Sequence, residues 1–178
     1  MNKETIKLRK EVINLDEQVN NLSYFIRTTK DFMEEKGKYY TSEESIKAIN
    51  AMKIILTEKN EEYKTLDNNA RKKQKKLWNS CQHEVLVNDK LNNTFCAICG
   101  RLIIDIPTTS LLQITFPDTY CLQTIALGKH SNWQTNFECR LQEIIEKGIE
   151  SDNMVDYVEG ELEELQFEED ISVRRLTK

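Results

Sequence analysis

Cys81-Gln82-His83 is followed by twelve residues and then by Cys96-Ala97-Ile98-Cys99-Gly100. Three thiols and an imidazole, spaced C-x-H-x12-C-x2-C, are donors that complete a tetrahedral shell around zinc. The C-x-x-C-G half is a metal knuckle: a tight turn aims both sulfurs inward, and Gly100 relieves the backbone strain that follows. Cys81 and His83 supply the opposing pair. With all four positions filled by protein, the pattern predicts a structural Zn2+ with no open position for catalysis.

Little else in the chain is arranged for chemistry. Cys121 and Cys139 flank His130 at gaps of eight residues, which is no common metal spacing, so they read as core cysteines. The five glycines form no phosphate-binding loop, and there is no H-E-x-x-H and no nucleophile elbow. With His83 given to metal, only His130 remains as a base, and no Ser or Cys is visibly paired with it. The chain is therefore expected not to be an enzyme.

The metal ligands must be held by the elements around them. Glu84-Val85-Leu86-Val87 alternates like a strand, the residues from Asp89 to Asn93 form a turn cluster, and Thr94-Phe95 returns to the knuckle. Arg101-Leu102-Ile103-Ile104 can continue as a further strand. Residues 79–106 therefore read as a zinc-ribbon-like β-hairpin with too few apolar residues to fold without its ion.

Upstream, Leu8, Val12, Leu15, Val19, Leu22, Ile26, Thr29 and Met33 follow the 4-3 spacing of a helical seam. Gly37 reads as a helix C-cap, and Thr41 with Glu44 as a capping box that starts a second helix near Ser42. The second seam runs Ile49, Met52, Leu56, Lys59, Tyr63, Leu66, Ala70, Lys73 and Leu77. Two helices of about 33 residues, each about 50 Å long, joined by a short connector, predict an antiparallel coiled-coil hairpin over 1–78. A parallel homodimer through the first helix is the rival arrangement, and both can hold at once if two hairpins form a bundle.

Downstream, residues 107–166 read as mixed and mostly helical. Leu111 to Phe116 suits a strand or packed loop, and 120–127 fits either helix or strand. A helix over Trp133–Lys147 carries Phe137, Leu141, Ile144 and Ile145 and is ended by Gly148; Asp152 caps another helix. Residues 167–178 are expected to be a disordered tail. The fold class is thus mainly α: a long helical hairpin, a small β module and C-terminal helices. The longest apolar runs, such as Leu102-Ile103-Ile104, are far shorter than a membrane span, and no secretory signal is visible. A cytoplasmic chain with reduced or metal-bound cysteines follows.

Charge narrows the partners. The 178 residues carry a net charge of −5, but residues 1–80 hold 17 Lys and Arg against 13 Asp and Glu, and residues 131–178 hold 5 against 13. The acidic end, with Glu159, Glu161, Glu163 and Glu164, disfavours nucleic acid and suits a basic protein groove. Tyr39 and Tyr40 at the hairpin tip could anchor a protein or nucleoprotein partner. Arg71, Lys72, Lys73, Lys75 and Lys76 keep a nucleic-acid contact as the alternative.

A long helical hairpin followed by a metal module and a C-terminal helix resembles the DksA/TraR class of transcription modulators. Cys96-Ala97-Ile98-Cys99-Gly100-Arg101-Leu102-Ile103 looks like that class's first knuckle, although the second ligand pair here lies upstream. The resemblance implies a regulator that acts on a larger machine. Frequent Asn, Lys and Ile, with no catalytic centre, also suit a phage or mobile-element anti-defence protein, an anti-CRISPR-like inhibitor among them.

Overall fold

A computed structural model describes residues 3–39, 41–88, 93–115, 136–165 and 171–176. The order of elements is α1 (Lys3–Lys36), a 3-10 turn (Gly37–Tyr39), α2 (Glu43–Ser80), β1 (Val85–Asn88), β2 (Thr94–Cys96), β3 (Leu102–Ile103), β4 (Leu112–Thr115), α3 (Asn136–Glu150), α4 (Met154–Leu165) and β5 (Ser172–Arg175). The mainly helical class with a small sheet is as the sequence predicts. The chain forms two compact units, one of residues 1–13 and 74–178 and one of residues 14–73.

The first unit contains the sheet. Its strand order is β3-β2-β1-β4-β5. β1 pairs antiparallel with β2, Leu86 opposite Cys96, and parallel with β4, Val85 opposite Leu112. β1 is the central strand, and all four of its residues are buried. That departs from the half-exposed alternation expected of a free ribbon; a strand covered on both faces shows no alternation. The core around it draws Val12 and Leu77 from the helices, Leu112 and Ile114 from β4, Leu141 and Ile145 from α3, and Val158 and Leu162 from α4. α1 and α2 run antiparallel here: the Thr5 hydroxyl donates to the carbonyl of Ser80 at 3.2 Å.

Three expected boundaries move. Gly148 does not end α3, which continues to Glu150. The glycine serves packing instead: a Cβ there would stand 2.6 Å from Cγ2 of Val158. Asn153, not Asp152, caps α4, its side-chain oxygen accepting from the Asp156 amide at 3.4 Å. The expected disordered tail contains a strand, because Ser172–Arg175 adds to the sheet with Val173 opposite Ile114, and Ile171 joins the core. A short, charged edge strand was masked by its composition. Trp133, the 120–127 segment and Phe116 lie outside the described residues.

The second unit, residues 14–73, holds the rest of α1 and α2 and the turn between them. Every seam position read from the sequence here is buried or half-buried, with Val19, Ile26, Leu56 and Ala70 the deepest. Phe32 and Met33 share a recess with Ile49 and Met52, and Leu22 and Phe25 share another with Lys59 and Leu66, which is antiparallel pairing. The turn differs in detail. Gly37 enters a 3-10 turn rather than a left-handed cap, and Ser42, not Thr41, caps α2 by accepting from the Ser45 amide at 3.2 Å.

Candidate metal centre

Cys81 directly follows the last turn of α2, where its amide donates to Leu77 at 3.0 Å. His83 then adopts φ 55°, the only described non-glycine residue in the left-handed region. That conformation costs of the order of 1 kcal/mol for a side chain with a Cβ. It turns the chain between α2 and β1 so that Cys81 and His83 face the same side. Two hydrogen bonds hold the turn: the Ser110 hydroxyl donates to the His83 carbonyl at 2.8 Å, and Thr109 donates to the Gln82 carbonyl.

The knuckle opposite is built from the end of β2. The Gly100 amide closes on the Cys96 carbonyl at 2.9 Å, and Gly100 has φ 68°. The Ala97 amide donates to Val85 at 2.9 Å, which fixes the knuckle to β1. The Ile98 amide points at the Cys96 sulfur at 3.4 Å.

The four predicted ligands converge. Cys81 Sγ lies 3.6 Å from Cys96 Sγ, Cys99 Sγ lies 3.5 Å from His83 Nδ1, and all four donor atoms fall within 4.8 Å of one another. A sulfur pair at 3.6 Å is far too long for a disulfide bond of about 2.05 Å. It is the right length for the edge of a metal tetrahedron: metal–sulfur bonds of about 2.3 Å give edges near 3.8 Å between sulfurs, and slightly less between sulfur and nitrogen. Cys96 and Cys99 are fully buried, and Cys81 and His83 are each 9% exposed. The donor set and its spacing fit a metal ion held by protein alone.

Electrostatics supports the same reading. Among protein groups alone the three thiols cannot all ionise together. The Cys81 thiol is held far below its usual range, chiefly by hydrogen bonding from Cys96 and then Cys99. Burial pushes the Cys96 thiol up, with the neighbouring sulfurs adding to it. Cys99 is pushed up to about 12, chiefly through its hydrogen bond to Cys81. A divalent cation reverses that penalty by making each thiolate a ligand.

The helices grip the knuckle through its carbonyls. Gln74 Nε2 and Trp78 Nε1, one turn apart on α2, both donate to the Cys99 carbonyl, at 3.0 and 3.1 Å. Arg9 Nε, from α1, donates to the Ile98 carbonyl at 3.1 Å. Sequence reasoning missed all three. Gln74-x3-Trp78 just upstream of the first ligand was a usable signal, since residues four apart share a helix face. Arg9 gave none, because an arginine beside a helical seam is ordinarily a surface residue.

The other candidate residues are not brought together. Tyr39 is 80% exposed, and Tyr40 lies outside the described residues. Glu159 and Asp156 pair with Arg175, while Glu161 and Glu163 are exposed; the side chain of Glu164 lies outside the described residues. In the basic run, Arg71 is held by Asp67 at 2.8 Å, Lys73 is half-buried, and Lys72, Lys75 and Lys76 are exposed. Cys139 is half-buried on α3, and Cys121 and His130 lie outside the described residues.

No protein family, curated protein or solved structure matches the chain, and no family or homologue evidence supports the resemblance to the DksA/TraR class. No helix among the described residues is long and apolar enough to cross a membrane.

Proposed function

We propose that this is a non-enzymatic protein whose Cys81, His83, Cys96 and Cys99 hold a structural Zn2+, and whose helical hairpin binds another macromolecule as a regulator or inhibitor. The observation that carries the first part is the buried, four-donor cluster, two of whose donor–donor distances match the edges of a metal tetrahedron. Thiolate and imidazole donors favour zinc over harder cations, and four protein ligands leave no position for a substrate. Three unbridged thiols suit a reducing compartment such as the cytoplasm.

The binding role rests on the second unit. Tyr39 is exposed, an apolar recess of about 180 Å3 is lined by Phe32, Met33, Ile49 and Met52, and Phe32 and Ile46 are themselves 44% and 49% exposed. An exposed aromatic side chain such as Phe32 at an apolar recess is the kind of anchor that dominates protein interfaces. Glu161 and Glu163 add steering toward a basic partner surface. An anti-defence inhibitor of a nucleoprotein machine is the narrower form of this reading.

The test is capture of partners from the native host followed by mass spectrometry, with Phe32→Ala/Tyr39→Ala beside the unaltered protein. A partner lost from the variant, by about tenfold in affinity or more, supports the reading. Binding of DNA or RNA that survives this variant but is abolished by Lys72→Glu/Lys76→Glu would make the partner nucleic acid instead.

A further inference from the structure

Three thiolates and a neutral imidazole around a divalent ion leave one net negative charge in a buried site. Burying an uncompensated charge is costly, so a neighbouring buried cation becomes part of the site's energetics. Arg9 is that cation. It is 4% exposed, and its Nε is fixed on the carbonyl of Ile98, the residue just before Cys99 and two after Cys96. Glu146 stands 3.9 Å from the Arg9 guanidinium and is 44% exposed.

Arginine keeps its charge even when buried, and its fork holds several acceptors at once. The residue belongs to the first turns of α1, whereas every ligand lies between residues 81 and 99. Binding free energies are reciprocal: if Arg9 strengthens metal binding, metal binding strengthens the docking of Arg9 by the same factor.

We propose that Arg9 is a charge-balancing and positioning residue for the metal centre, so that metal occupancy and docking of the first turns of α1 onto the knuckle are one coupled equilibrium. This rests on the metal reading of the cluster. In this arrangement the ion does more than close a hairpin: it fastens the N-terminal helix to the sheet. Loss of the ion releases residues 3–13 as well as the strands.

The full-length protein tests this with Zn2+ and Co2+ as probes. Arg9→Gln should weaken Zn2+ binding at least tenfold in competition with a chromogenic chelator, while the Co2+ absorption bands keep their tetrahedral thiolate form. Arg9→Lys, which keeps the charge but not the fork, should recover part of the loss. In the unaltered protein, chelation should speed amide exchange over residues 3–13, a readout that needs no variant. Zn2+ affinity within twofold of the unaltered protein in Arg9→Gln, or unchanged exchange over 3–13 on chelation, overturns the proposal. A wild-type protein that binds neither ion would instead overturn the metal reading itself.

Discussion

Cys99 shows how much of the metal centre depends on single groups. Its sulfur faces His83 Nδ1, and its carbonyl receives both Gln74 and Trp78. Trp78→Phe keeps an aromatic ring, though a smaller one, and removes one of those donors. It should cost about 0.5–1.5 kcal/mol of stability by denaturant unfolding, because Gln74 still satisfies the carbonyl. The thiols give a pH prediction. Cys96 is raised above its ordinary value and Cys99 reaches about 12, so both are neutral thiols near pH 8 before metal arrives, while Cys81 is already ionised. Metal binding then expels about two protons, and affinity must rise with pH. Between pH 7.5 and 8.5 apparent Zn2+ affinity should climb about 100-fold in chelator competition. A climb of tenfold or less would mean that no more than one thiol still holds its proton in that window. The ligands themselves were legible in the sequence because metal chemistry fixes both type and spacing. The left-handed backbone at His83 was not, since no residue there is a glycine.

At the scale of elements, the helical seams were the most legible feature. A period of 3.5 to 3.6 residues over thirty positions leaves little ambiguity, and the half-buried state of Lys59 and Lys73 shows that even their interruptions were placed correctly. The sheet was harder. β1, β2 and β3 could be read around the knuckle, but β5 lies in a charged tail and pairs with β4 over a distance that local pattern does not reveal. Gly148 was misread for a related reason. A glycine near a helix end looks like a stop, whereas here it admits Val158 to the α3 backbone. Gly148→Ala should therefore destabilise by about 1–3 kcal/mol through overpacking. Gly160→Ala, with nothing within 4 Å of the added methyl, should be neutral or stabilising by up to about 1 kcal/mol. Equal thermal shifts for the two would show that the α3–α4 approach is not tight in solution. Ser42→Ala should lower stability by about 1 kcal/mol through loss of the α2 cap, as read by thermal denaturation.

For the whole molecule, the metal centre belongs to the unit that contains the sheet, and residues 14–73 form the other unit. Chelation should raise amide exchange across residues 85–103 while leaving residues 14–73 protected. The central claim is that Cys81, His83, Cys96 and Cys99 hold one structural Zn2+. The most direct measurement is elemental analysis, with native mass spectrometry, of protein purified without added metal. Near one zinc per chain is expected, falling to near zero in Cys96→Ser/Cys99→Ser. Absence of metal from the unaltered protein, or full occupancy retained in that double variant, would contradict it.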